Sequence, residues 1–288
     1  MFFNSFPFLF IFLPTTLFFF YYASSIHFNW GILWLAVASF LFYSFYGLAS
    51  SAFLALSIIT NYSLGLLIKK YSANSKLKKM VLYFGIICNA GILIFLKNFG
   101  VVNGIQSTSF TTNFQVSLII PIIFSFFTFQ QIIFLIETWT GKLKETRFLD
   151  YLLYMTFFPQ LLIGPIVRPS VLFPQLKNKK VFNLDVRRFA VGLTIISFGL
   201  FKKVVLADGI SRYSSPAFDA VTQGAILSLA EAWSGVTSFS LQIYFDFSGY
   251  SDISVGLGYL FGIRLPINFE SPYKASSLIS FWRSWNIT

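Results

Sequence analysis

The segment FPFLFIFLPTTLFFFYY, residues Phe6–Tyr22, decides the fold class because it carries no charged side chain over nearly the length of a membrane span. The apolar character continues beyond it, and the first charged residue of the chain is Lys69. The segment also lacks the basic start of a cleavable signal peptide. We therefore interpret it as the retained first span of a membrane protein.

The composition of the whole chain agrees with this interpretation. Of the 288 residues, 56% are hydrophobic and 11% are charged, whereas a soluble domain carries about 25% charged residues. The net charge of +11 comes from Lys and Arg residues that lie between apolar segments. Their retention on the cytoplasmic side explains this pattern better than nucleic-acid binding does. We therefore expect membrane lipid, and no nucleic acid, as a partner.

Few residues in the chain are of the types that bind metals or act as bases. One cysteine, Cys88, cannot form an internal disulfide or a zinc cage. The only histidine, His27, lies between two apolar runs with no carboxylate nearby in sequence, so we interpret it as solvated rather than catalytic. We expect no metal and no bound cofactor.

The apolar runs predict an all-α, polytopic fold in a single membrane domain that covers residues 1–288. A spanning helix needs roughly 20 mostly apolar residues. A further run, Ile253–Ile263, could form an eighth segment or the end of a bent one, which gives about seven to eight segments. The seven main candidates are Phe6–Tyr22, Trp30–Tyr46, Ser51–Ile68, Val81–Leu96, Val116–Ile136, Phe189–Leu206 and Ala225–Phe245.

Charge asymmetry and helix breakers predict one re-entrant segment in addition. Tyr151–Val167 is apolar but interrupted by Pro159, Gly164 and Pro165, and many basic residues follow it. A crossing there would place those basic residues outside, against the positive-inside rule. We therefore expect the segment to enter the membrane from the cytoplasm and return, since protein or a wet cavity can shelter irregular backbone there.

One pair of lysines does not fit the charge rule. Asp208–Gln223 is polar, and we predict an external loop there. Lys202 and Lys203 lie near the outer end of the preceding span. They either snorkel outward or face an internal polar cavity.

The densest polar stretch in an apolar setting is Gln242–Asp252, QIYFDFSGYSD. Its carboxylates, Asp246 and Asp252, are expensive in a membrane and need a partner or a task. One interpretation is the polar wall of a functional site. The other is a helix break at Gly249, with the acids capping the helix or paired with Arg264 or Lys274.

The block Arg264–Trp285, RLPINFESPYKASSLISFWRSW, cannot be one continuous helix because Pro266 and Pro272 interrupt it. Ser276 or Ser277 could cap a final helix that carries Phe281, Trp282 and Trp285. This helix is either an amphipathic interfacial helix or the wall of a pocket for a polar or acylated ligand.

The glycines Gly256, Gly258 and Gly262 are not spaced as a dinucleotide-binding loop and do not follow a predicted strand. We interpret them as glycines that allow helices to pack closely.

Three stretches together resemble one family: FFPQLLIGPIVRP at Phe157–Pro169, GLFKKVVLAD at Gly199–Asp208, and the long block from Ile243 to Thr288. They are similar to the membrane-bound O-acyltransferase (MBOAT) family. Within it they are similar to the bacterial branch that O-acetylates alginate and related exopolysaccharides. The teichoic-acid D-alanyl transfer proteins are more distant relatives.

The resemblance implies a many-helix fold around a central funnel, in which a histidine acts as general base. It also implies a place in the cell inner (plasma) membrane. The acyl donor, acetyl-CoA or an acyl carrier protein, would arrive from the cytoplasm. A hydroxyl acceptor, or a periplasmic or extracellular acetyltransferase partner protein, would take the acyl group on the outer side.

The resemblance implies that the residues at the matching motif positions support the funnel or the substrate and take no direct part in the reaction. No catalytic residue can be assigned, because Trp285-Asn286 stands where the family has a Trp-His pair, and Asn cannot act as a general base near pH 7. We expect residues 1–288 to be the N-terminal part of such an enzyme, truncated before the catalytic histidine and inactive by itself. The supporting positions are Pro159, Gln160, Gly164, Pro165, Arg168, Asp246, Ser248, Gly249, Tyr250, Asp252, Asn268, Tyr273, Trp282, Arg283, Trp285 and Asn286.

Two other functions stay open at this point. Broken segments and buried charges also suit a transporter for a lipid-linked sugar, although no paired half-repeats are visible. A non-catalytic scaffold of a polysaccharide export or acetylation complex would explain Asn286 as a settled loss of function.

Overall fold

The computed structural model describes residues 2–45, 48–71, 75–102, 113–161 and 164–288, and within these ranges it contains helices and no strands, as the sequence predicts. Tyr46, which ends the second predicted span, and residues 162–163 of the predicted re-entrant segment lie outside the described residues. The backbone of residues 113–124 is described but their side chains are not, which affects the first part of the predicted span Val116–Ile136.

The helices follow one another with short connections. A π-helical turn, Phe8–Phe12, precedes α1, and a second one, Phe201–Ala207, joins α9 to α10. The helices are α1 (Leu13–Ile26), α2 (Phe28–Ser44), α3 (Leu48–Lys70), α4 (Lys76–Val102), α5 (Asn113–Trp139), α6 (Phe148–Thr156), α7 (Phe158–Leu161), α8 (Pro169–Lys177), α9 (Val186–Leu200), α10 (Asp208–Thr222), α11 (Leu229–Leu260) and α12 (Leu278–Ser284).

In the described part of the chain, four helical segments are long and apolar enough to cross a membrane: Phe8–Ile26, Ser51–Lys70, Lys76–Phe95 and Val186–Thr222. Each overlaps a predicted span, and α2 is a shorter apolar helix. These helices indicate a membrane protein, as predicted. The total of about seven to eight membrane segments stays a prediction.

Contacts divide the chain into two compact units, which are described separately below. The first unit comprises Phe12–Leu162 and Ile166–Asn183, and the second comprises Phe2–Ile11, Ile163–Pro165 and Leu184–Thr288. The prediction of one membrane domain over residues 1–288 stays a prediction.

In the first unit, hydrogen-bonded amides join α3, α4 and α5. The Nδ2 atom of Asn61 donates to Oε1 of Gln131 at 2.7 Å, and Nδ2 of Asn89 donates to Oδ1 of Asn61 at 2.7 Å. All three side chains are buried. Because an apolar solvent offers such groups no partner, the amides favour packing among these three helices.

The only histidine of the sequence has a local structural role. His27 separates α1 from α2, and its Nδ1 atom accepts a hydrogen bond from the backbone N–H of Asn29 at 3.2 Å. The imidazole therefore caps the start of α2.

The structure of the second unit differs from the sequence interpretation at two places. The segment Asp208–Gln223, predicted as an external loop, is helical, because α10 continues α9 through the π-turn to give one helical segment, Val186–Thr222; its external position stays a prediction. The helix break at Gly249, one of the two interpretations of the polar stretch, is absent, because α11 runs unbroken from Leu229 to Leu260 and joins the predicted segment Ala225–Phe245 to most of the run Ile253–Ile263. A capping box between Ser228 and Glu231 fixes its start.

The end of α11 and the beginning of α12 follow the sequence prediction more closely. Gly262 has a φ of +79°, so it ends α11 by adopting the left-handed region rather than by packing two helices together, which corrects its interpretation. The chain is then irregular across Pro266 and Pro272, and Ser277 caps α12 by accepting from the backbone N–H of Ser280.

Candidate functional site

The predicted site residues fall into three groups. Pro159, Gln160 and Arg168 belong to the first unit, whereas the residues of α11 and of the C-terminal block belong to the second. Gly164 and Pro165 are buried and lie in irregular backbone.

Two pairs of glycines bring α9 and α11 into direct backbone contact. A Cβ atom added at Gly199 would lie 2.7 Å from the carbonyl oxygen of Gly249, and one at Gly256 would lie 2.7 Å from that of Gly192. Because residue 192 meets 256 and residue 199 meets 249, the helices are antiparallel. The partners are seven residues apart on each helix, which is about two turns. These four residues are called the glycine seam below, and they confirm the packing interpretation of Gly256.

The seam brings together charged residues that are far apart in sequence. Lys202 Nζ lies 2.5 Å from Oδ2 of Asp252. Lys203 Nζ lies 2.9 Å from Asp246 and 2.8 Å from Asp208. The expectation that Asp246 and Asp252 pair with Arg264 or Lys274 is therefore wrong. The lysines that did not fit the charge rule are their partners.

The centre of the predicted polar stretch packs inward. Gly249 is part of the seam, and Tyr250 lies with its ring centroid 5.5 Å from that of Phe3. Ser248 is 1% exposed, and its hydroxyl has no hydrogen-bond partner among the described residues. Asp246 and Asp252, on either side of this buried centre, are half-buried, so solvent or a ligand can reach their carboxylates.

Asn268 fixes the C-terminal residues in place. Its side-chain Oδ1 accepts from the hydroxyl of Thr288 at 2.9 Å, and its backbone carbonyl accepts from the N–H of Ile287 at 2.9 Å. Asn286, the residue before Ile287, adopts a φ of +43°. Asn tolerates this left-handed conformation better than most residues because its short polar side chain can bond locally. Position 286 is therefore held by backbone geometry and is exposed.

An aromatic cluster anchors the last helix to α11. Trp285 stacks on Phe281 at a centroid distance of 5.6 Å and meets the edge of Phe269 at 5.2 Å. Tyr273 joins the cluster through Tyr244 and donates its hydroxyl hydrogen to the carbonyl oxygen of Ser240 at 2.8 Å. Burial, with a smaller effect from Tyr244, raises the pKa of Tyr273, so its phenol stays a neutral donor at pH 7.

Two predicted site residues of α12 do not join this cluster through described contacts with α11. Trp282 is 65% exposed, and Arg283 is also exposed. Trp282 touches only the neighbouring ring of Phe281 among the described aromatic contacts. The helix thus presents one aromatic face to the protein and leaves Trp282 and Arg283 for solvent, lipid or a ligand.

In the first unit, the predicted re-entrant segment is broken at Phe157, between α6 and α7. The freed backbone N–H of Phe158 donates to the hydroxyl of Ser39 at 3.2 Å. Pro159 and Gln160 lie in α7, and the side-chain Oε1 of Gln160 accepts from Nε2 of Gln130 at 3.2 Å. A broken segment sheltered by polar side chains is the local structure that the sequence predicts; its passage into the membrane stays a prediction.

A buried carboxylate that sequence reasoning missed holds the start of α8. Glu137, at 4% exposure, accepts from the backbone N–H and from the hydroxyl of Ser170, each at 2.9 Å. Arg168, the predicted site residue just before this helix, is exposed and caps nothing with its side chain. The signal was present in the sequence, because Glu137 is an acid at the end of the apolar run QQIIFLIE.

Comparison with known proteins gives a consistent result. Residues 101–288 match the model of the membrane-bound O-acyltransferase family, MBOAT. The chain is 40% identical to the peptidoglycan O-acetyltransferase of Helicobacter pylori, over 89% of this chain and 53% of that protein. It is 34% identical to a probable alginate O-acetylase AlgI of Azotobacter vinelandii, over 100% of this chain and 57% of that protein.

A more distant similarity covers part of the chain. The teichoic acid D-alanyltransferase of Bacillus subtilis is 29% identical over 57% of this chain and 41% of that protein. The chain therefore spans about half the length of the curated relatives it matches.

Proposed function

Because the chain belongs to the membrane-bound O-acyltransferase family, we propose that it serves in the transfer of an acyl group, most simply acetyl, to hydroxyls of a cell-envelope polysaccharide. The observation that carries this proposal is the 40% identity to a peptidoglycan O-acetyltransferase over 89% of the chain. The similarity to alginate O-acetylases supports the same chemistry on another polymer.

The described structure supports a role for this chain in positioning the substrates. Ser39 and Gln130 support the break in the first unit, and the glycine seam and the clamp of Asn268 order the second. Rigid support of this kind is what a site needs to hold a donor and an acceptor in reactive geometry. Asn286 has no proton-accepting imidazole, so we assign it a structural role and no part in proton transfer.

The whole reaction follows from the same proposal. The chain lies in the plasma membrane with several spans, and an acyl donor such as acetyl-CoA or an acyl carrier protein binds from the cytoplasmic side. The acceptor hydroxyl, or a periplasmic or extracellular acetyltransferase partner protein, takes the acyl group on the other side. A bound cofactor has no part in this chemistry, because the donor is consumed as a substrate.

A chimera tests the proposal directly. Residues 1–288 would replace the aligned part of the Helicobacter pylori relative, and the fusion would be expressed in cells that lack that relative. We expect base-released acetate in the peptidoglycan to return with the chimera, and to stay absent with residues 1–288 alone. A chimera that reaches the membrane at the level of the intact relative and yields no acetate would contradict the proposal.

A flux assay in membrane vesicles distinguishes acyl transfer from transport. Vesicles that contain residues 1–288 should show no flux of a lipid-linked sugar when no acyl donor is present. Flux in these vesicles above that of empty ones would favour the transporter instead.

A further inference from the structure

A cavity of about 390 Å³ lies beside the glycine seam in the second unit. This volume is in the range of small-molecule sites, about 300–1,000 Å³. Its walls combine apolar side chains with one ion pair, so they are amphipathic. The lining residues are Ile195, Phe198, Lys202, Asp252, Val255 and Ile267.

Part of the apolar wall lies away from the ion pair along the helix axis. Ile195 precedes Lys202 by seven residues, which corresponds to about 10 Å of helix rise. Because α11 is antiparallel to α9, Val255 lies on the same side of the Lys202–Asp252 pair as Ile195 does. The cavity therefore has a charged end and an apolar end.

The sequence places the charged end near the edge of the apolar part of this helix. The apolar run of Val186–Thr222 ends at Ala207, and Asp208 opens the polar helix α10. Lys202 is thus within about two turns of this edge, whereas Ile195 is farther inside the apolar run. In a bilayer, the head groups of lipids meet the hydrocarbon at such an edge.

The charges around the ion pair favour a head group with both signs. Lys202 and Lys203 face three carboxylates, those of Asp208, Asp246 and Asp252. A purely anionic head group would be repelled by this surplus of negative charge. A head group with a phosphate and an ammonium would satisfy the lysine and the carboxylate together.

We propose that this cavity binds one phospholipid whose head group carries a phosphate and a primary ammonium. The phosphate accepts hydrogen bonds from Lys202, the ammonium donates to Asp252, and an alkyl chain lies against Ile195, Phe198 and Val255. This site depends only on the membrane location of the chain and is independent of the proposed acyl transfer.

Native mass spectrometry of the purified chain in detergent tests the site with three lipids of equal acyl chains. Phosphatidylethanolamine should bind most tightly. Phosphatidylcholine should bind more weakly because its trimethylated nitrogen has no hydrogen to donate. Phosphatidylglycerol should also bind more weakly because its net negative charge meets the carboxylates. Equal binding of all three lipids would overturn the proposal.

Two single substitutions should change lipid binding in different ways, one in the order of the lipids and the other in affinity. Asp252→Asn frees Lys202 from its carboxylate, so phosphatidylglycerol should overtake phosphatidylethanolamine. Lys202→Gln removes the phosphate donor and should weaken both lipids about tenfold, the effect of one charged hydrogen bond. An unchanged order of the lipids in Asp252→Asn, or unchanged affinities in Lys202→Gln, is the result of a purely structural ion pair and would contradict the proposal.

Three further variants keep the test decisive. The double variant Lys202→Gln/Asp252→Asn leaves no unpaired charge, so it should fold even if a single variant does not, and it should bind both lipids weakly and equally. Ile195→Trp fills the apolar end and should weaken all three lipids. Lys274→Gln, which removes an exposed charge of the same unit away from the cavity lining, should change nothing. Full binding by Ile195→Trp, or retained preference in the double variant, would overturn the assignment.

Discussion

The two units satisfy their buried polar groups in different ways. In the first unit, neutral amides such as those of Asn61, Asn89 and Gln131 join three helices. Its buried carboxylates, Glu137 and Asp150, have both oxygens bonded, the first by Ser170 and the second by Arg147. The second unit uses ion pairs beside the glycine seam, where Lys202 and Lys203 meet carboxylates of α11 and α10. Neutral hydrogen bonds can be satisfied without solvent, whereas half-buried ion pairs remain partly accessible to water. The difference marks the ion-pair region as the place where a charged ligand can bind.

The seam should be the most sensitive point of the second unit. Gly199→Leu would place a side chain where the backbone of Gly249 lies 2.7 Å away, so the helices must separate. We expect a loss of about 3 kcal/mol in unfolding free energy, or no folded protein, since overpacking costs about 1–3 kcal/mol or more. Thermal unfolding in detergent measures it.

A glycine on the same helical segment provides the control. Gly209 has nothing within 4 Å of its added Cβ, so Gly209→Leu should stabilise the helix by up to about 1 kcal/mol. Equal destabilisation by both changes would mean that the seam is not a close contact.

In the first unit, the group whose removal should lower stability most is the carboxylate of Glu137, which sequence reasoning missed. Glu137→Ala removes both acceptors of Ser170 and should lower the unfolding free energy by about 1.5–3 kcal/mol, the range for charged hydrogen bonds. Glu145→Ala, at the exposed ion pair with Lys177, should cost less than about 1 kcal/mol. Similar losses for the two variants would remove the distinction between buried and exposed carboxylates.

The neutral network should show a smaller coupling. A double-mutant cycle of Asn61→Ala and Asn89→Ala should give an interaction free energy of about 0.6–1.7 kcal/mol, as found for hydrogen bonds between membrane helices. Chemical unfolding of the four proteins of the cycle measures it. Additive effects of the two changes would show that the amides do not hold α3 and α4 together.

The smallest expected effect is at Asn286. Asn286→Ala should cost about 0.5–1 kcal/mol, because Ala is poorer in the left-handed region, whereas Asn286→Gly should cost less. Thermal unfolding of both variants compares them. A greater loss for Gly than for Ala would mean that the Asn side chain, rather than the backbone conformation, matters at this position.

Much of the architecture could be predicted from the sequence because it depends on local patterns. Apolar runs predicted the helices that contain Phe8–Ile26 and Ser51–Lys70, and the helix breakers around Pro159 predicted the gap between α6 and α7. The loop predicted at Asp208–Gln223 was wrong because polar residues also form amphipathic helices, and polarity alone does not distinguish the two.

The partners of the predicted site residues could not be found in this way. Asp246 and Asp252 were predicted to need partners, but the nearby Arg264 and Lys274 were the wrong ones. The correct lysines lie about 40–50 positions away and come close only because α9 and α11 pack antiparallel through glycines. Likewise, no sequence pattern connected Glu137 with Ser170.

The sequence alone determined that this is a helical membrane protein with the motifs of an acyltransferase family, since hydropathy and motifs are properties of consecutive residues. Only the tertiary structure decided which charges are paired and where a cavity opens between them. Those features depend on helix contacts between residues far apart in the chain. The glycine seam allows such a contact by letting the backbones of α9 and α11 touch, and so places Lys202, just after α9, against a carboxylate of α11.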